Sequence, residues 1–286
     1  MNLAPPMQAV QDWITQQWVI LGGRKISPKD HSWLMGPFGD TQGIGGAFVD
    51  RLAAREGLLV NRETSARGLV PSFHASYEGA EGLSDLPASI VAFYERTADY
   101  HFRFGVSWNP VFRIPGFLVN RLFSGRLQQL HIPTANSRNP ESLSSEVLAL
   151  VDPASRDVKY TVWLRTMQST GQMVFSGIYQ IGRLPDARPC VKAIFPLPNG
   201  NATVILVPRV GYRSEFVLDA SGQNFGDPGF YFLFNDAKGN HWVRYVRSFR
   251  NTLIIRENAE GSLSAEHLVR LWSWRGLRMS YRIVNE

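Results

Sequence analysis

The sequence predicts an α+β protein in which a C-terminal antiparallel β-barrel carries an N-terminal, mainly helical portion packed on it. Up to about residue 140, apolar residues recur at helical spacing, and from about residue 145 they alternate with polar residues at a period of two. Short turn segments separate the strands of this second half, so that neighbouring strands are antiparallel. We therefore assign residues 1–140 to the helical portion and residues 141–286 to the barrel, packed as one unit.

The helical portion contains four predicted helices. Each has apolar residues at steps of three and four or a proline at its start, and the second ends before a glycine suited to a C-cap. The predicted helices span residues 7–18, 41–56, 87–97 and 115–130.

The second half contains a series of short predicted strands with no helix between them. They span residues 145–152, 158–164, 173–184, 191–195, 202–208, 215–221, 229–236, 241–249, 251–257, 264–274 and 277–283. So many strands in an open sheet would expose two edges, and closure into a barrel removes them. We favour an up-and-down barrel, with a two-layer sandwich as the alternative. Asn199-Gly200 is predicted to form a two-residue hairpin turn with positive φ at both positions.

Composition excludes several classes of protein. The chain has 286 residues, of which 44% are hydrophobic and 19% charged, so it can bury a substantial core and is neither disordered nor collagen-like. The single cysteine, Cys190, excludes a disulfide framework and is predicted to be a small buried side chain. The six histidines form no pair at metal-ligand spacing, so no metal site is predicted.

The net charge of +6 raises the question of an anionic partner. The arginines are scattered, and even the segment with the most of them, residues 244–250, contains no two adjacent basic residues. Because nucleic-acid surfaces group their charges, no nucleic-acid partner is expected. The first twenty residues lack the pattern of a signal peptide, and no apolar stretch approaches the ~20 residues of a membrane span, so we expect a cytoplasmic protein.

Two short segments match known sequence motifs only in part. Residues 43–48, GIGGAF, lack the third glycine of a dinucleotide-binding fingerprint, and residues 105–109, GVSWN, end in Asn where a nucleophile elbow needs Gly. A phosphate-binding loop is also missing from the sequence. We therefore expect neither a nucleotide site nor a catalytic triad, and no cofactor.

The interior of the predicted barrel is the natural place for a ligand. Aromatic residues share strand faces there: Phe175 and Tyr179 on one strand, Phe230 and Phe232 on another. We predict that these four side chains contact the ligand.

Four ionisable residues alternate in phase with apolar residues and are predicted to point into the same interior. They are Glu146, Tyr160, His241 and His267. A carboxylate or imidazole in an apolar cavity has a shifted pKa and can act as a general acid or base near neutral pH. We expect His267 to lie in the cavity with one or more of the other three beside it.

Three segments resemble parts of uncharacterised bacterial proteins: FGDPGFYF at 225–232, FPLPNGNATV at 195–204 and EHLVRLWSWRGLRMSYRI at 266–283. The last segment is also similar to strand pairs of lipocalin-type sequences. The resemblance implies a lipocalin-like barrel and carries no catalytic motif.

These observations lead to a functional hypothesis and two alternatives. The protein binds an apolar small molecule in the barrel and converts it by cofactor-independent acid/base chemistry, such as cyclisation, isomerisation or dehydration. The first alternative is a carrier that uses the same cavity without chemistry. The second alternative, from another class, is a protein whose arginines bind an anionic surface or nucleic acid.

Overall fold

The computed structural model describes residues 10–39, 46–62, 68–113, 132–133, 135–137 and 139–285. The α-helices in this part of the chain include α1 (Val10–Gly22), α2 (Gly46–Glu56), α3 (Phe73–Ser76) and α4 (Ala88–Glu95). Three of them correspond to predicted helices, while α3 is a single turn without a periodic signal. The predicted helix at 115–130 lies outside the described residues.

The strands in the described part of the chain are β1 (Arg24–Ile26), β2 (Leu59–Asn61), β3 (Tyr100–Trp108), β4 (Glu141–Val151), β5 (Val158–Met167), β6 (Met173–Arg183), β7 (Pro189–Leu197), β8 (Gly200–Val210), β9 (Phe216–Ala220), β10 (Gly229–Asn235), β11 (His241–Tyr245), β12 (Phe249–Glu257), β13 (Leu263–Leu271) and β14 (Trp274–Asn285). From β4 onward the strands follow the predicted order with small changes of boundary, whereas β1, β2 and β3 lie in the portion predicted to be mainly helical and were not predicted.

Ten of these strands close into an antiparallel barrel. Going around it, β3 to β9 follow in chain order and continue through β12, β13 and β14, which pairs again with β3. The predicted antiparallel barrel is confirmed, and its strands run up and down. Lipocalin barrels have eight strands, so the likeness to lipocalins stays a prediction.

The barrel differs from the predicted one at two places. Strand β3, in the portion predicted to be mainly helical, completes the wall between β14 and β4. Strands β10 and β11 leave the wall, because β10 pairs with the first half of β8 while β9 pairs with its second half. With β1 added to β11, they form an extension of the sheet beside the barrel.

The hairpin between β7 and β8 is shifted by one residue from the prediction. Leu197 pairs with Gly200, so the two loop residues are Pro198 and Asn199. Asn199 has a positive φ of 58°, whereas Gly200 is the first residue of β8 and does not. Proline fixes φ near −65° at the first loop position, which suits a turn that needs positive φ only at the second. Gly200 instead permits close approach, since a Cβ there would lie 2.1 Å from the Leu233 carbonyl oxygen.

Apolar side chains pack on both sides of the barrel wall. The largest cluster fills the barrel interior. A second lies outside β4 to β7, where Phe48 and Leu52 of α2 cover Leu150 and Val162. A third lies between the sheet extension and the segment around Leu34. Several barrel strands are therefore apolar on both faces, which bears directly on the predicted site.

Candidate functional site

A cavity of about 100 Å³ lies inside the barrel. Its walls come from the inward side chains of β3, β5 to β9 and β12 to β14, and its end comes from residues 69–94. An engineered apolar cavity of ~150 Å³ is known to admit benzene. This cavity is smaller, so a ligand that fits it is no larger than about one small ring or a short chain.

The end of the cavity is closed by aromatic side chains of the helical portion. Phe73 is completely buried, and its ring centroid lies 5.1 Å from that of Phe216 and 5.6 Å from that of Tyr94. The backbone N–H of Phe73 donates to Glu95 Oε1 at 2.7 Å, which holds α3 against the end of α4. These contacts make residues 69–94 part of the cavity wall.

Arg165 is the charged residue of the cavity wall. Alternation along β5 directs it inward together with Trp163, and it is only 7% exposed. Its guanidinium carbon lies 3.9 Å from the Trp163 ring centroid and 4.3 Å from that of Phe175. Its Nε has no hydrogen-bond partner. No aspartate or glutamate lines the described part of the cavity.

His267 lies in the same cavity, on β13. A hydrogen bond of 2.6 Å joins its Nε2 to Asn251 Oδ1 on the neighbouring strand β12. Burial, with a smaller effect from the positive charge of Arg165, lowers the pKa of His267 to about 4. The imidazole is therefore neutral at pH 7, and its remaining accessible surface faces the cavity.

Four tyrosines line the cavity: Tyr77, Tyr94, Tyr179 and Tyr281. Burial raises the pKa of Tyr281 to about 12, although the neighbouring Arg165 opposes this shift. Burial also raises the pKa of Tyr77, whose hydroxyl oxygen is buried without a hydrogen-bond partner. Neither phenol can supply a negative charge near neutral pH.

The structure places three of the predicted site residues on the cavity wall: His267, Phe175 and Tyr179. His267 faces inward with Ala265 and Val269, in the phase that the alternation indicates. Their participation in binding or catalysis stays a prediction.

The prediction that Glu146 and Tyr160 share this cavity is wrong. The Glu146 side chain is 57% exposed, with its Oε1 4.0 Å from Arg62 Nη1. Tyr160 is buried against α2, where its hydroxyl donates to Glu56 Oε2 at 3.2 Å. Both do share a strand face with apolar residues, but that face is the outside of the barrel.

The prediction is also wrong for His241, Phe230 and Phe232, because β10 and β11 leave the barrel wall. The His241 ring packs near Phe38 at a centroid distance of 5.9 Å. Phe230 packs at the edge of the interior cluster, 4.5 Å from Phe249, and Phe232 lies 5.4 Å from Trp18 of α1. None of the three lines the cavity.

Sequence reasoning missed Arg165, Asn251 and Tyr281. The sequence does contain a signal for Arg165. Its face of β5 also carries the apolar residues Trp163 and Met167, so either face of this strand could point into the barrel. Asn251 and Tyr281 likewise share a strand face with apolar residues, on β12 and β14.

Within the described ranges, no group of three or more His, Cys, Asp or Glu residues is arranged to hold a metal ion. None of the helices described here combines the length and apolarity that crossing a membrane requires. Comparisons of the chain with protein-family models, curated proteins and solved structures found no match.

Proposed function

We propose that this protein binds a small, largely apolar molecule inside its barrel. The observation that carries the proposal is the interior cavity, whose walls are mostly aliphatic and aromatic and whose few polar groups converge. Ligand sites typically combine apolar walls with a few such groups that orient the ligand.

The polar groups lie close enough together to orient one molecule. Asn251 and His267 are hydrogen-bonded to each other, and Arg165 lies close enough to both His267 and Tyr281 to shift their pKa values. The other cavity walls, which include Leu206, Leu218 and Ile255, are apolar. A ligand with one polar end matches this division.

Conversion of the ligand by acid/base chemistry is the finer form of the hypothesis. It rests on His267, whose neutral imidazole can accept a proton, although a pKa of about 4 makes it a weak base. A carrier without chemistry needs the cavity alone. The lipocalin likeness supports both forms equally.

Filling the cavity tests the proposal. Ala265 lines it, so Ala265→Phe should occupy much of its volume, whereas Val284→Phe adds the same ring at a position that is 40% exposed. We expect benzene to raise the melting temperature of the wild type and of Val284→Phe, since a ligand bound to the native state stabilises it. Ala265→Phe should show no such shift. Equal shifts in all three proteins, or none in the wild type, would overturn the proposal.

A second experiment separates the enzyme from the carrier. Mass spectrometry of molecules extracted from the purified protein identifies a bound ligand, which is then incubated with the wild type and with His267→Ala. Conversion by the wild type but not by the variant supports catalysis by His267. An unchanged molecule in both reactions supports the carrier.

A further inference from the structure

We propose that the ligand carries a carboxylate, which Arg165 binds inside the barrel. The inference rests on the proposed function, because it concerns the polar end of the ligand in the same cavity. The side chain that carries the inference is Arg165.

Among the described residues, Arg165 is a buried cation without a carboxylate partner. Its side chain lies on the inner face of β5, 7% exposed, in a cavity whose described walls include no aspartate or glutamate. A buried charge is strongly unfavourable unless an opposite charge or hydrogen bonds compensate it. The aromatic faces of Trp163 and Phe175 offset part of this penalty. They provide no acceptor for the guanidinium donors.

One of those donors is free. The Nε of Arg165 is buried and has no hydrogen-bond partner, although buried polar groups in proteins are nearly always paired. A guanidinium presents its N–H groups in a planar fork that fits the two oxygens of a carboxylate. A carboxylate in the cavity would satisfy Nε and neutralise the charge together.

The neighbouring polar groups do not compensate the charge. His267 has its pKa lowered to about 4 and Tyr281 has its pKa raised to about 12, so both are neutral at pH 7. With its Oδ1 turned to His267, the Asn251 side chain still has amide N–H groups to donate. The wall around Arg165 thus offers neutral hydrogen-bonding groups, including the Tyr281 hydroxyl that interacts with Arg165, and no negative charge.

The number of donors favours a carboxylate over a phosphate. A phosphate ester carries close to two charges and three strong acceptor oxygens near neutral pH. The described cavity wall holds one arginine and no lysine, in a volume of about 100 Å³. A single carboxylate on a short apolar body matches both the charge and the space.

The experiment compares butyrate with its neutral isostere butyramide, each with as many non-hydrogen atoms as benzene. Dissociation constants are measured at pH 7 by nuclear magnetic resonance titration for the wild type, Arg165→Met and Arg256→Met. Arg256 is the matched control, because it lies on the outer face of β12 and pairs with Glu215 and Glu266. The wild type and Arg256→Met should bind butyrate about tenfold to a hundredfold more tightly than butyramide, as expected for a hydrogen bond to a charged group. Arg165→Met should lose this preference.

Two further measurements show whether Arg165→Met loses its butyrate preference through lost binding or through misfolding. The Arg165 Nε–H resonance of the wild type should shift with butyrate and not with butyramide. Arg165→Met should melt at the wild-type temperature or above, because it removes an uncompensated buried charge. A lower melting temperature together with an unchanged butyrate preference would assign Arg165 a structural role and overturn the inference.

The outcomes also separate this inference from the proposed function. If benzene binds and butyrate binds no better than butyramide, the carboxylate inference fails and the proposed function stands. If benzene, butyrate and butyramide all fail to bind the wild type, the proposed function fails first.

Discussion

The outer face of the barrel at β12, β13 and β14 and the inner face, where Arg165 of β5 lies, surround their charged side chains differently. On the outer face, Glu266 accepts from Arg278 Nε at 3.0 Å and lies 3.5 Å from Arg256 Nη1, and Arg256 also pairs with Glu215. On the inner face, Arg165 meets aromatic rings and neutral polar groups. Among the described residues, carboxylates thus pair with Arg256 and Arg278 on the outer face, and none pairs with Arg165 on the inner face. This contrast is the basis of the proposal that Arg165 binds the carboxylate of a ligand.

The largest expected effect comes from removing the packing that closes the inner face. Phe216 is completely buried between Phe73, Tyr77 and Tyr94. Phe216→Ala should lower the free energy of unfolding by about 3–5 kcal/mol, the usual loss for a buried phenylalanine. Chemical denaturation measures this, with Val284→Ala on the exposed face as a control that should change stability by less than about 0.5 kcal/mol. Similar losses of stability in the two variants would mean that the aromatic side chains around Phe216 are not tightly packed.

The next effect is a pH dependence that belongs to the inner face alone. His267 has its pKa lowered from 6.5 to about 4 in the native state, so between these values the unfolded chain binds the extra proton. The free energy of unfolding should therefore fall as pH falls from about 6.5 to 4, by about 3 kcal/mol in total.

Denaturation curves at several pH values test this dependence in the wild type and in His267→Gln, which cannot titrate. Carboxylates such as Asp236, with a pKa lowered to about 2, contribute equally to both proteins. The difference between the two curves thus isolates His267. Parallel curves between pH 4 and 6.5 would show that the imidazole is not buried.

A smaller effect is expected from the covered outer face. Tyr160→Phe removes the hydrogen bond to Glu56 Oε2, while Lys159 Nζ remains 2.8 Å from that oxygen. The free energy of unfolding should fall by about 1 kcal/mol. Benzene and butyrate should bind as in the wild type. A loss of binding in this variant would contradict the assignment of Tyr160 to the outside of the barrel.

The smallest effect is expected from the partly exposed ion pairs on the outer face. Glu266→Gln should lower the free energy of unfolding by less than about 1 kcal/mol, and the loss should shrink as salt is added. Butyrate affinity should be unchanged. If instead the variant binds butyrate several-fold differently, the inner and outer faces are coupled and the contrast between them is weaker than the structure indicates.

Local features of the barrel were predictable because they depend on neighbouring residues. The period-two alternation from residue 145 placed the strands, and turn residues such as Asp152-Pro153 placed their ends. The hairpin at Pro198 and Asn199 was displaced by one residue, because the proline pattern competes with the Asn-Gly pattern. The placement of His267 followed from the same alternation.

The sequence by itself determined which residues share a strand face, and only the tertiary structure decided which face became the interior. Alternation places Glu146 on one face with Leu148, and Tyr160 on one face with Val162. Because α2 packs on the outside of these strands, their outer face carries apolar residues as the inner face does. Burial alone therefore could not distinguish inside from outside. The entry of β3 into the wall and the departure of β10 and β11 depend on pairings between residues distant in sequence, such as Phe102 with Ile283. These pairings bring Arg165, Asn251 and His267 together in one cavity. No regular spacing of these three residues along the chain indicates this.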